Sequence, residues 1–232
     1  MVISWILLFF LIVFFWRVVR TKVFLPASGT SSKSDTKYKT PLQVPSSQAR
    51  AYPLVYSGQL HKPTRPIEKE NLNRGKSEDY FLEHLWRYFP TYIHTDIALP
   101  IREECYFPDF AFIDKKHSLY IDIEIDEPYA LPFGYPTHCI GSDEIRNRFF
   151  VENHWMVIRF TEEQVVRAPK SCCKFIAEQA AAITKNHRLT EAFYEIDDLQ
   201  LRPKQWSFRQ SEQLYKMNYR DHYLKTLKAS KP

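Results

Sequence analysis

Four acidic residues lie in two neighbouring segments whose patterns predict β-strands. Asp109 opens a short apolar run, and Asp122, Glu124 and Asp126 alternate with isoleucines in the segment that follows. Alternation with period two is typical of a strand with one apolar and one polar face. Three carboxylates on one face of a core-like segment are costly to bury unless a cation compensates their charge. The pattern therefore predicts a metal site and metal-assisted hydrolysis.

The spacing of these acids predicts which of them meet. Asp109 precedes Glu124 by 15 residues and Asp126 by 17, so neighbouring strands can bring the three together at one end of a sheet. Carboxylates on rigid strands suit Mg²⁺ (or Mn²⁺), since Mg²⁺ takes one or two carboxylates with waters and substrate phosphates. Such an ion polarises a phosphodiester and generates hydroxide. Asp122, on the same face, competes with Glu124 as the second ligand.

The surrounding sequence predicts an α/β layered domain over residues 77–184, followed by a tail at 185–232 that is mostly helical after Trp206. The expected elements, in chain order, are a helix that Ser77 caps and Pro90 ends, strands over about 92–100 and 106–114, the acidic strand over 118–126, a helix from the cap Ser142 through Asn153, a strand over 155–160, a short helix opened by a capping box at Thr161–Gln164, and a helix over 171–184.

The first 20 residues predict a transmembrane anchor. Residues 2–16 carry no charge, and three basic residues follow within the next six positions. About 18 apolar residues in a helix cover about 27 Å, just enough for a bilayer. A cleaved signal peptide is the alternative, but its positive charge would precede the apolar run. The basic residues after the helix predict that residues 20–232 face the cytoplasm.

Residues 21–76 predict a basic, Pro/Ser-rich flexible linker. They contain ten Lys/Arg and three Asp/Glu, a net charge of +7, whereas residues 77–232 carry a net charge of −4. A basic connector can lie against anionic lipid headgroups or nucleic acid, and simple solubility is the alternative. The chain contains no G-x-G-x-x-G or P-loop motif, which excludes the common nucleotide-binding loops.

The two acidic segments resemble the PD-(D/E)xK nuclease superfamily, in particular its branch related to very-short-patch repair endonucleases. Pro108-Asp109 is similar to the first metal-ligand motif of that branch. Glu124-x-Asp126 is similar to the second motif, in which a carboxylate replaces the usual lysine. The resemblance covers about residues 77–168.

Further positions carry the same resemblance. Glu78 resembles an acid on the first helix of the branch, and Asp143-x-x-Arg146 with the strand at 155–160 resembles its closing helix and strand. The resemblance implies a restriction-endonuclease-like fold, in which a three-layer core has a mixed sheet flanked by helices.

The function that the resemblance implies is a membrane-anchored, Mg²⁺-dependent endonuclease that hydrolyses DNA. Asp109, Glu124 and Asp126 would hold the metal ion, and Glu78 and His138 are further catalytic candidates. The expected partners are therefore DNA and, through the N-terminal helix, a membrane.

The chain departs from the branch in ways that keep a second hypothesis open. Glu127 stands where the branch usually has a glycine, and the first histidine after it is His138. No lysine follows Glu124, so Arg146, Arg159 or His138 would supply the missing group. The alternative is a nuclease-like fold without activity that serves as a membrane-tethered binding or scaffold module, which a negatively charged domain favours.

The predicted anchor can be tested by fractionation. We expect the full chain to sediment with membranes and to resist an alkaline carbonate wash, because its apolar run is long enough to span the bilayer. A variant that lacks residues 1–20 should appear in the soluble fraction. Recovery of the intact full chain in the soluble fraction would contradict the prediction.

Overall fold

A five-stranded mixed sheet lies at the centre of the part of the chain that the structure describes. The structure is a computed structural model, and it describes residues 49–70 and 74–229. In these ranges no helix is both long and apolar enough to cross a bilayer. The predicted anchor at 1–20 and much of the predicted linker lie outside the described residues.

The described strands are β1 (Leu54–Tyr56), β2 (Ile67–Glu68), β3 (Ile93–His94), β4 (Ile97–Ile101), β5 (Glu104–Tyr106), β6 (Phe110–Asp114), β7 (Leu119–Asp126), β8 (Tyr129–Ala130), β9 (Tyr135–Pro136) and β10 (Met156–Thr161). The helices are α1 (Lys76–Tyr88), α2 (Glu144–Glu152), α3 (Glu162–Arg167), α4 (Pro169–Thr184), α5 (Phe208–Lys216) and α6 (Tyr219–Ala229), with a 3₁₀ helix at His187–Phe193. The central sheet has the order β1-β10-β7-β6-β3, in which β10 and β7 run parallel and the other neighbours antiparallel. Strands β2-β4-β5 form a smaller sheet, and β8 pairs with β9.

The alternating side chains of β7 divide the core into two parts. Its isoleucines lie on the face that α1 and α4 cover, within the larger apolar cluster. Tyr120 lies on the opposite face, where Val157, Phe150 and Trp155 form a smaller cluster. Helices therefore flank both faces of a mixed sheet, as the α/β prediction states.

The second face of β7 is polar in sequence, yet it is not exposed. All eight residues of β7 are buried, so the predicted strand is confirmed while its polar face is covered. Arg146 of α2 and Arg159 of β10 reach the carboxylates of Glu124 and Asp126. Burial of these acids is tolerated because each has a hydrogen-bonded partner of opposite charge.

Three helices begin at other residues than the sequence predicts, and for two of them a side-chain contact accounts for the shift. Helix α1 begins at Lys76, because the Ser77 hydroxyl, the predicted cap, donates instead to the Glu162 carboxylate at 2.7 Å. Helix α2 begins at Glu144, because the Ser142 hydroxyl donates to a loop carbonyl at 2.8 Å. In both cases a tertiary or loop contact competes with the cap.

The predicted capping box of α3 is confirmed. The Gln164 N–H donates to Thr161 Oγ1 at 3.2 Å, and the Thr161 N–H donates to Gln164 Oε1 at 2.9 Å. Helix α4 begins at Pro169, two residues before the predicted start, and continues to Thr184. Proline is accepted there because the first turn of a helix leaves its N–H groups unpaired.

The predicted boundary between linker and domain is wrong, because residues within 49–56 belong to the fold. Strand β1 lies at the edge of the central sheet and places Leu54 opposite Arg159 of β10. Tyr52 is buried, and its ring stacks on Trp206 with 5.6 Å between the centroids. The spacing of Tyr52, Leu54 and Tyr56 at every second position is typical of a strand. The basic, proline-containing composition around them favours a linker instead.

The tail is helical after Trp206, as predicted, and it is joined to the core through Glu162. The Arg220 guanidinium donates to both oxygens of this buried carboxylate, at 2.6 and 2.7 Å. The Tyr223 hydroxyl donates to Glu162 at 2.8 Å and the Ser77 hydroxyl at 2.7 Å. Helix α6 is therefore fixed to the start of α3 and to the first turn of α1.

We expect Arg220→Ala to destabilise the domain by about 2–3 kcal/mol, because it leaves the buried Glu162 carboxylate without its charged partner. For a chain of this size the melting temperature should fall by about 5–10 °C, measured by tryptophan fluorescence on the full chain in detergent. Arg209→Ala is the matched control, because Arg209 is exposed. Equal melting temperatures for the two variants would contradict the role given to Glu162.

Candidate functional site

Two predicted site residues meet where β6 begins beside β7. The register that sets Phe110 opposite Ile123 puts Asp109 next to Glu124. Asp109 Oδ2 accepts the Ile125 N–H at 2.8 Å, and the Asp109 N–H donates to Glu124 Oε1 at 3.2 Å. Reciprocal hydrogen bonds therefore fix these two carboxylates across neighbouring strands.

The first turn of α1 adds Glu78 to this pair. Burial, followed by repulsion from Glu127 and Glu124, raises the pKa of Glu78 to about 7. Burial, followed by repulsion from Glu124 and Glu78, holds the pKa of Asp109 well above its ordinary value. We call Glu78, Asp109, Glu124 and Glu127 the acidic cluster. Burial is the largest cause of the raised pKa values of Glu78 and Asp109, and repulsion between the acids adds to it.

Glu124 differs from the other members because Arg146 pairs with it directly. Arg146 Nε donates to Glu124 Oε2 at 3.1 Å, and Arg146 Nη2 donates to Glu124 Oε1. Although burial opposes the charged form, Arg146 and then Arg159 hold the pKa of Glu124 below its ordinary value. The sequence predicts Arg146 as one substitute for the missing lysine. In the structure its guanidinium pairs with Glu124, the acid of the second motif.

Asp122 lies deeper on the same face of β7. Its side chain is fully buried, and neither carboxyl oxygen has a hydrogen-bond partner in the described part of the chain. Arg146 Nη2 lies 3.6 Å from Asp122 Oδ1. Burial, followed by the charge of Glu124, raises the pKa of Asp122 well above its ordinary value.

Asp126 belongs to a separate buried network. Arg159 donates to its two oxygens at 3.0 and 2.6 Å, and the Tyr52 hydroxyl donates to it at 2.8 Å. A further guanidinium nitrogen of Arg159 donates to Asn147 at 3.0 Å. We call Tyr52, Asp126, Asn147 and Arg159 the arginine network. Of the three predicted metal ligands, Asp109 and Glu124 therefore lie together, and Asp126 has both oxygens engaged by the network.

His138 borders the arginine network and lies among carboxylates that favour its protonated form. Its Nδ1 lies 3.2 Å from Asp143 and 3.3 Å from Asp126, and Nε2 lies 3.9 Å from Glu127. Although burial opposes it, Asp126 and then Asp143 raise the pKa of His138 to about 10. Arg159 Nη2 lies 3.1 Å from the same Nδ1. Because a guanidinium only donates hydrogen bonds, this contact favours the neutral imidazole and opposes the effect of the carboxylates. His138 as a general base stays a prediction.

Sequence reasoning missed several contributors to this region. In the sequence Glu127 stands out only because it replaces an expected glycine. In the structure its negative charge adds to burial in raising the pKa of Glu78. Asn147 and Tyr52, which complete the arginine network, were not singled out. Asp143 and Asn147 are four residues apart, a helical spacing that could have shown a polar face of α2 turned toward the sheet. The only sequence pattern that points to Tyr52 is its alternation with Leu54, which is typical of a strand.

The acidic cluster contains the donors that a hard cation prefers, although they are not yet arranged as a ligand set. In the described ranges no three His, Cys, Asp or Glu side chains stand so that they could hold a metal ion. Arg146 occupies both oxygens of Glu124. Asp109 and Glu78 fit Mg²⁺ or Mn²⁺ because they are carboxylates whose ionised form is disfavoured by like charge, which a cation relieves.

Comparisons with protein-family models, with curated proteins and with solved structures found no match to this chain. The function must therefore be argued from the site itself.

The interactions of His138 predict a pH dependence of stability. Its pKa rises from 6.5 to about 10 on folding, so its stabilising contribution is complete below about pH 6.5 and is lost as the pH rises through about 10. The melting temperature of the wild type should therefore exceed that of His138→Gln most clearly near pH 6. The difference should shrink toward pH 10. A difference that stays constant between pH 6 and 10 would contradict the effect assigned to the carboxylates around His138.

Proposed function

We propose that this chain is a metal-dependent nuclease with a restriction-endonuclease-like, three-layer core, and that it hydrolyses DNA phosphodiester bonds. The observation that carries the proposal is the fixed contact between Asp109 and Glu124, with Glu78 beside them and their charge only partly compensated. Carboxylates that meet at one end of a sheet, with raised pKa values for Asp109 and Glu78, are the arrangement expected of a hydrolytic metal site.

Asp109, Glu124 and Glu78 are the residues that would hold Mg²⁺ or Mn²⁺ in this proposal. The bound ion would supply Lewis-acid activation of water and of the phosphoryl group. The protein contributes the position of the ligands. The Ile125 N–H orients Asp109, and α1 presents Glu78 from its first turn. Asp126 remains with the arginine network, which differs from the ligand set that the sequence predicts.

Arg146 takes the place of the lysine that the superfamily usually has. It is held between Glu124 and the Phe107 carbonyl, to which Nη2 donates at 2.8 Å. Its guanidinium carbon lies 5.4 Å from the ring centre of Tyr106 and 5.0 Å from that of Phe150. A guanidinium cannot act as a base, because it stays protonated at any physiological pH. Its role in the proposal is to balance the charge of the second acid.

The proposed location is the cytoplasmic face of a membrane, with the N-terminal apolar run as the anchor. The basic segment 21–76, with its ten Lys/Arg, would add affinity for the DNA backbone that weakens as salt is raised. It would offset the net negative charge of residues 77–232.

A second candidate is a binding or scaffold module without catalysis. The observation that favours it is the complete engagement of two of the three predicted ligands, since Arg146 pairs with Glu124 and Arg159 with Asp126. A site that remained closed in this way would bind neither metal nor a reacting phosphate.

Cleavage assays with the full chain in detergent separate these functions. Plasmid and single-stranded DNA would be supplied with Mg²⁺ or Mn²⁺. We expect metal-dependent cleavage, and losses on the order of 10² or more for Asp109→Asn and Glu124→Gln, because each removes a charge that the transition state requires. Asp114→Asn, which changes a buried acid at the other end of β6, is the matched control and should retain activity.

The outcomes differ for each function. Cleavage that both site variants retain would reject this site as the catalytic one. Wild-type protein that binds DNA but never cleaves it with either metal would favour the binding module.

A further inference from the structure

Asp122 is the one side chain whose buried polar atoms lack a hydrogen-bond partner in the described ranges. Buried carboxylates are almost always hydrogen-bonded, since an unpaired one loses its hydration without replacement. Its neighbours on this face of the sheet include Ala111 and Val157, the residues opposite it on the two adjacent strands. In the form that the structure shows, the ion-pair partner of Asp122 is Arg146, whose Nη2 lies 3.6 Å from Oδ1, too far for a hydrogen bond, so this acid is only partly compensated.

Arg146 stands between Asp122 and Glu124. Its Nη2 donates to Glu124 Oε1 and lies 3.6 Å from Asp122 Oδ1. The two acids are two residues apart on one strand, so their Cα atoms lie about 7 Å apart on the same face. A charge-assisted hydrogen bond spans about 2.7–2.9 Å, so a shift of about 1 Å would join Arg146 to Asp122.

The present pairing conflicts with cation binding at Glu124. Arg146 engages both oxygens of Glu124, and a divalent ion on those oxygens would repel the guanidinium at short range. Arg146 is largely covered, with 16% of its side chain exposed, so leaving its partner for solvent would require a large rearrangement. Asp126 cannot receive it, because Arg159 engages both oxygens of that acid.

We propose that Asp122 is a positioning residue that receives Arg146 when Glu124 turns to a divalent cation. The inference rests on the proposed metal site and deepens it. Arg146 then balances the charge of Glu124 in the metal-free protein and that of Asp122 in the metal-bound protein. In the metal-free protein Arg146 donates hydrogen bonds to both oxygens of Glu124, and it therefore has none to give to Asp122.

Asp122→Asn tests this role because the amide keeps the shape of the side chain and removes its charge. Mn²⁺ binding to the full chain in detergent would be measured by isothermal titration calorimetry. We expect the dissociation constant to rise at least about tenfold, because the displaced arginine then lacks a charged partner. The melting temperature of the metal-free variant should be equal to or higher than that of the wild type, since no hydrogen bond is lost.

Asp114→Asn is the matched control. Asp114 is also a buried acid, but it pairs with His117 at 2.7 Å at the opposite end of β6. This variant should lower the melting temperature and leave the Mn²⁺ dissociation constant unchanged. A purely structural role for Asp122 predicts the same behaviour for both variants.

A second measurement uses only the wild-type protein, so it does not depend on a variant folding. The Arg146 Nε–H signal of ¹⁵N-arginine-labelled wild-type protein should shift on addition of Mg²⁺, because its acceptor changes.

A double variant tests whether the two residues act together. In the Arg146→Gln background, Asp122→Asn should have no further effect on Mn²⁺ affinity, as expected of two residues that act through one interaction.

The results separate the inference from the proposed function. Wild-type binding of Mn²⁺ that Asp122→Asn leaves unchanged, or an Arg146 signal that does not move, overturns the positioning role and keeps the metal site. Binding that survives in Asp109→Asn places the ion elsewhere and rejects both. Wild-type protein that binds no Mn²⁺ also rejects both.

Discussion

The burial of three carboxylates on one face of β7 is the constraint on which the rest of the structure depends. A charged group in a protein core is tolerated only with a partner of opposite charge and good geometry. Arg146 and Arg159 supply that partner from two different elements. Helix α2 must therefore cover this face, and β10 must lie beside β7, where Arg159 stands opposite Glu124. The apolar packing on the other face is compatible with this arrangement but does not require it.

The negative charges of these carboxylates are not compensated equally, and chemistry can occur at the carboxylates that are compensated least. Asp126 has an arginine, a tyrosine hydroxyl and a histidine around it, so it is a structural acid. Burial and then repulsion from other acids raise the pKa values of Asp109 and Glu78. The face of β7 thus borders both an ion-pair network at Asp126 and, through Glu124, an acidic cluster that a cation would stabilise. Arg146 stands at the boundary between them.

Segments outside the predicted domain complete both regions. Tyr52, from the predicted linker, donates to Asp126 and stacks on Trp206 of the tail. Arg220 and Tyr223, from the tail, hold Glu162, which also accepts a hydrogen bond from Ser77, the neighbour of Glu78. The position of the first turn of α1 therefore depends on a helix that begins about 140 residues later in the chain. An enzyme that requires Glu78 in place would require this tail.

The sequence by itself determined the acidic strand, the α/β class, the capping box at Thr161 and the proximity of Asp109 to Glu124. These follow from local patterns, since period-two alternation, cap chemistry and short spacing between strands act over a few residues. Only the tertiary structure decided which acids are compensated. Whether Glu124 or Asp126 finds an arginine depends on contacts between residues up to 33 positions apart, and the recruitment of Tyr52 depends on one 74 positions away. Composition had assigned Tyr52 to a linker. The electrostatics of a buried site are set by three-dimensional distance, and no local pattern encodes that distance.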